Sequence, residues 1–127
     1  MRLSQSEFAR VVQEAVRSLT PELRRRMENV SIEILPLPAG AVLREMQQEG
    51  IEDPQELLGY YSGVPLTEKS VETPFEWPER IYVFQHNLED MCRSRQELRD
   101  EIRITVLHEL AHHFGMDEDD LEELGYD

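Results

Sequence analysis

The chain of 127 residues carries 27 acidic and 13 basic side chains, a net charge of −14, with 39% hydrophobic and 31% charged residues. That length suits one domain, residues 1–127, around one core, and the composition suits a soluble globular protein over a disordered one. A balance so acidic counts against nucleic acid and anionic membrane surfaces as partners, since both are gripped through Lys and Arg, and no run approaches the roughly 18 apolar residues of a membrane helix.

The opening residues, Met1 to Glu7, lack the apolar stretch of a signal peptide. From residue 5 to 19, Phe8, Val11, Val12, Ala15, Val16 and Leu19 recur at helical spacing, and Ser4 with Glu7 fits a capping box. Thr20-Pro21-Glu22 opens a second helix, with Pro21 at its first position, running to about Met27. Its three adjacent arginines, Arg24, Arg25 and Arg26, point in different directions and read as a solvated face. Val30-Ser31-Ile32-Glu33-Ile34 alternates apolar and polar, as a strand does. Residues 40–48 form a short helix ended near Gly50, and Leu57 to Tyr61 a short or curved second strand. The stretch from Pro65 to Pro78 is a loop, and Ile81-Tyr82-Val83-Phe84 is a strand, β-branched and aromatic throughout. Cys92, the one cysteine, allows no intrachain disulfide and reads as a packed residue. Together with the missing signal peptide it points to the cytoplasm.

The last long helix starts near Ser94 or Arg95. From Ile104 to Phe114 its only ionisable residues are Glu109 and three histidines, so it reads as a central helix packed on most sides. Within it lies His108-Glu109-Leu110-Ala111-His112, an HExxH sequence. At about 100° per residue, His108 and His112 stand one turn apart and about 40° from each other on one face. Two imidazoles so placed can grip a zinc ion, with Glu109 beside them to handle a proton; the reaction class is metal-assisted hydrolysis. His113 points away from that face and reads as a packed or hydrogen-bonded histidine. Catalytic zinc takes three protein ligands and a water, so a third donor is needed. Gly115 can adopt the left-handed conformation that ends a helix. The chain then turns back, and a residue soon after it, among Met116 to Asp120, can reach the metal.

HExxHxxGxx followed by a ligand is the metzincin layout, and the run from His108 to Glu118 resembles the small bacterial zincin-like metallopeptidases, the minimal zincins. Tyr60 to Glu68 is similar to that family's glycine-proline loop, Ile81 to Phe84 to its strand, and Leu121 to Gly125 to its C-terminal tail, so the resemblance runs from about residue 6 to 125. It implies a compact α+β zincin-like domain in which a small mixed β-sheet packs on the active-site helix. It implies a Zn²⁺ site of His108, His112 and Glu118, with Asp117 and Asp119 as competitors for the third place. It also implies a metallopeptidase in which Glu109 is the general base for attack by zinc-bound water on a peptide carbonyl. The substrate is then a peptide or protein, and the strand at 81–84 would bind it along its edge by strand addition. Glu118 stands where metzincins usually have histidine or aspartate, no methionine follows Met116 to form a Met-turn, and 15 residues follow His112.

Other readings remain beside this one. A zincin-fold module could hold zinc for interaction or regulation with little turnover, although Glu109 would then have no task. A nuclease of the HGxxHxxGxxxH type is disfavoured by Glu109 in place of glycine and by the charge. The acidity itself reads first as solubility and self-repulsion, and second as a preference for basic substrates.

Overall fold

The computed structural model describes residues 1–63 and 79–123, apart from the side chain of Glu118. Helix α1 (Gln5–Arg17) begins where the sequence asks it to: Ser4 Oγ accepts from the Glu7 N–H at 3.1 Å, and the Glu7 carboxylate accepts from the Ser4 N–H at 3.4 Å. This reciprocal pair satisfies two of the amides that a helix start leaves open. Phe8, Val11, Val12 and Ala15 make its buried stripe. Helix α2 (Pro21–Arg26) is capped by Thr20 and starts on its proline. Its three arginines are exposed, as three successive side chains on a helix of one turn and a half must be.

Strand β1 (Val30–Leu35) leads to α3 (Gly40–Gln48), a 3-10 turn at Pro54–Glu56, β2 (Gly59–Ser62) and β3 (Glu79–Phe84). The sheet order is β1–β3–β2; β1 runs parallel to β3 and β2 antiparallel to it. The strand at 81–84 is therefore central, hydrogen-bonded on both sides. That overturns its expected role as a peptide-binding edge, because its backbone groups are already engaged within the sheet. The signal that suggested an edge, the polar exit Gln85-His86-Asn87, is instead the first turn of helix α4 (Gln85–Met91). This helix escaped the sequence reading because its buried face is mostly polar: Gln85 and Glu89 flank Leu88. The Glu89 carboxylate accepts from the Leu3 N–H at 2.8 Å and from Gln85 Nε2 at 3.1 Å, with the Arg2 guanidinium 3.6 Å away. A charge so enclosed is tolerable because it is paired and hydrogen-bonded, and the pairing fastens residues 1–3 onto α4.

Helix α5 (Arg95–Phe114) and the short α6 (Glu118–Glu123) complete the described chain. Strand alternation sends successive residues of β3 to opposite faces. Ile81 and Val83 join Phe8, Val11, Leu98, Ile102, Val106 and Leu110 in the larger core, between the sheet and helices α1 and α5. Tyr82 and Phe84 pack on the other face with Tyr60 and with Val42 and Met46 of α3. The fold is α+β, a small mixed sheet lying on the helix that carries the histidines. Among the described residues no helix is long and apolar enough to cross a membrane.

Candidate metal and catalytic site

Helix α5 is fixed at both ends. Ser94 Oγ accepts from the Glu97 N–H at 3.1 Å. At the other end Gly115 takes φ +63°, a left-handed conformation that suits glycine, and the Met116 N–H closes back on the Ala111 carbonyl at 2.8 Å. Leu98, Ile102, Thr105, Val106, Leu107, Leu110 and Ala111 are buried. The helix is less enclosed than its sequence suggests, since Ile104 is 41% and Phe114 36% exposed. Ile104, His108 and His112 follow one another at four-residue steps along the open stripe, and both histidines are exposed.

The three histidines separate by environment. His113 stacks on Tyr61, ring centroids 4.0 Å apart, and its Nε2 lies 3.1 Å from Glu79 Oε1. It is a packed histidine of α5, lying against Tyr61 of β2 and beside the Glu79 carboxylate of β3. Among the described residues no hydrogen bond or ion pair claims the ring of His108 or His112. Glu109 sits beside them, half-buried against β2. Burial pushes its carboxyl above the usual range, opposed by the neighbouring His112, the Tyr61 N–H and His108.

The close approach of β2 to α5 depends on a missing side chain. A Cβ on Gly59 would meet Thr105 Cγ2 at 2.5 Å and the Tyr82 carbonyl oxygen at 3.0 Å, with Glu109 Cγ at 3.9 Å. A Gly59→Ala protein is expected to lose about 1–3 kcal/mol of stability, typical of overpacking. The loss should be partly recovered by Thr105→Ser, which deletes the obstructing methyl; denaturant unfolding of the single and double variants measures both.

After Gly115 the acidic run resolves into distinct tasks. Asp117 Oδ1 accepts from the Asp120 N–H and Asp120 Oδ2 from the Asp117 N–H, both at 2.9 Å. The two acids cap the start of α6 reciprocally, so Asp117 is occupied as a cap. Asp119 is exposed. Glu118 opens α6, and its side chain lies outside the described residues. Among the described residues no three His, Cys, Asp or Glu side chains are gathered as a metal site; His108 and His112 are two exposed imidazoles one helical turn apart. The glycine-proline loop beyond Gly63 and the tail beyond Glu123 also lie outside the described residues.

Beside Glu109 opens a cleft of about 490 Å³. Helix α5 contributes Glu109, His112 and His113, and β2 contributes Gly59, Tyr60 and Tyr61. The remaining wall is Glu49, Ile51 and Leu57, from the end of α3 and the segment after it. Tyr60 is tied to that wall: its hydroxyl donates to Glu45 Oε2 at 2.6 Å, and Ser62 Oγ donates to Glu45 Oε1 at 2.8 Å. Burial, with the Glu45 and Glu49 carboxylates, pushes the Tyr60 phenol far above its ordinary range. Sequence reading missed this wall. Glu45 and Glu49 are one turn apart at the end of a predicted helix, but only the packing of α3 on the sheet carries them to the cleft.

The sequence model of a family described as zincin-like metallopeptidase matches residues 27–126. Among solved structures, a conserved hypothetical protein from T. thermophilus is similar, with a TM-score of 0.52 at 18% identity, over 88% of this chain and 94% of that one. At that identity the likeness concerns the fold. No curated protein matches the sequence.

Proposed function

Because the chain belongs to the zincin-like metallopeptidase family, we propose that it is a zinc-dependent peptidase whose metal is held by His108, His112 and Glu118 and whose general base is Glu109. One observation carries this reading. All three histidines on α5 are exposed, but the one outside the motif is engaged by Glu79 and Tyr61, while among the described residues no hydrogen bond or ion pair claims the rings of the motif pair beside the half-buried Glu109. Two neutral imidazoles completed by a carboxylate are a donor set that catalytic zinc uses. When bound, zinc supplies Lewis acidity, acidifying water and drawing off negative charge at the reacting carbonyl.

The protein's own residues do the rest. Glu109 takes a proton from the attacking water and passes it to the leaving amine. Its burial suits the task, since a carboxylate that gains from being protonated is a stronger base. The Tyr61 N–H holds the carboxylate in place. An extended substrate lies along β2, which among the described residues is paired on one side only. Strand addition there sets its backbone against the cleft that Glu109 and His112 line.

Metal analysis with a peptide library tests the assignment. Purified protein is expected to carry about one zinc per chain, to lose cleavage when stripped by a chelator and to regain it with added zinc. Protein that never takes up zinc, or that cleaves equally well without it, would overturn the reading. Zinc without any cleavage would leave a metal-holding module.

A further inference from the structure

The cleft beside Glu109 has a second end that hydrolysis itself does not use. Ile51 and Leu57 make it apolar, and Glu49 gives it a carboxylate. The charge there is unbalanced in a specific way. Tyr60 has one hydroxyl proton and donates it to Glu45 Oε2, while Ser62 occupies Glu45 Oε1. Both Glu45 oxygens are thus engaged by neutral donors, which argues against a metal ion between the two acids. Glu49 is close enough to the same phenol to disfavour its ionisation, yet the phenol has no second proton to offer it. Among the described residues no ion pair engages Glu49, which is exposed at the end of α3.

Apolar walls with one unneutralised carboxylate match a long side chain that is aliphatic along its stem and cationic at its tip. We infer that this end of the cleft receives an arginine or lysine side chain of the substrate, and that Glu49 is the residue that selects it. The stem lies on Ile51 and Leu57 and the cation meets the Glu49 carboxylate. Arginine is favoured because its planar fork can engage both carboxylate oxygens. An acidic side chain is rejected by Glu49 and by Glu45 behind it, and the overall charge of −14 draws cationic peptides toward the surface. The inference rests on the peptidase reading for the identity of the ligand as a peptide, but its test does not require turnover.

Two blocked pentapeptides serve as probes, identical except for a central arginine in one and its neutral isostere citrulline in the other. Their dissociation constants are measured on Glu109→Gln protein, with and without added zinc, and their kcat/KM on the wild type. Binding is expected to favour arginine about fivefold, the scale of a half-exposed charged contact, and to lose most of that preference at high salt. Adding Glu49→Gln should bring the ratio to about one, and Glu49→Lys should invert it; Glu49 is exposed, so both variants fold. Equal binding of the two peptides, a preference that survives Glu49→Gln, or no binding of either at millimolar concentration would overturn the inference. Arginine-selective binding without cleavage of either peptide would sink the peptidase reading and leave this one standing. Cleavage of both at equal rates would do the reverse.

Discussion

Glu109→Gln protein is expected to keep its zinc and its fold while losing peptide cleavage by about 10²–10⁴-fold, the range that positioned proton transfer contributes. Glutamine preserves the shape of the side chain and an oxygen to accept from the Tyr61 N–H, so the variant removes proton transfer and little else. The thermal midpoint supplies an internal control. The folded protein raises the Glu109 carboxyl chiefly by burial, which means that in the zinc-free state ionising this carboxyl costs more in the folded protein than in the unfolded chain and so subtracts from stability above its ordinary pKa. A neutral amide removes that cost, and the zinc-free variant should melt at or above the wild-type temperature. Cleavage at the wild-type rate by a zinc-loaded Glu109→Gln protein would remove Glu109 from the mechanism.

His112→Ala is expected to weaken zinc binding by more than about 100-fold, since altering even the outer partners of a ligand costs 10–100-fold. Its ring is exposed and, among the described residues, unclaimed, so the change in stability of the zinc-free protein should stay within about 0.5 kcal/mol. His113→Ala makes the contrasting control. It deletes the ring stacked on Tyr61 and paired with Glu79, and should cost stability, about 1 kcal/mol for the aromatic contact, while leaving zinc affinity far less affected. Titration with zinc and denaturant unfolding of the two alanine variants separate the roles. Unchanged zinc affinity in His112→Ala would return that histidine to the status of a surface residue.

Most elements were legible in the sequence because local signals and tertiary demands agreed. Ser4 with Glu7, Thr20 with Pro21, and Ser94 with Gly115 mark helix ends that the structure keeps. The spacing of Phe8, Val11, Val12 and Ala15 names a buried face that is buried. Elements were missed where stability comes from distant partners. Helix α4 buries Gln85 and Glu89, and the main hydrogen bond of Glu89 goes to the backbone of Leu3, more than 80 positions away in the chain. No window of sequence displays that. The strand at 81–84 was recognised, but its place at the centre of the sheet was not, because an apolar run does not say how many neighbours it has. For the site, the motif and the glycine turn singled out His108, Glu109 and His112, which the structure sets on one helix beside the cleft. The cleft wall of Glu49, Ile51 and Leu57, and the reason for glycine at 59, are visible only once α3 and β2 are in place.

The two packed clusters on opposite faces of the sheet anchor the cleft walls in cores of unequal size among the described residues. His112 and Glu109 ride on a helix bolted to the larger cluster, which α1, α5 and the inner side of β3 share. Tyr60 and the end of α3 belong to the smaller one, with five buried residues. A substrate that forces the cleft wider is therefore expected to displace the α3 side first, while His108 and His112, one turn apart on a single helix, keep their spacing.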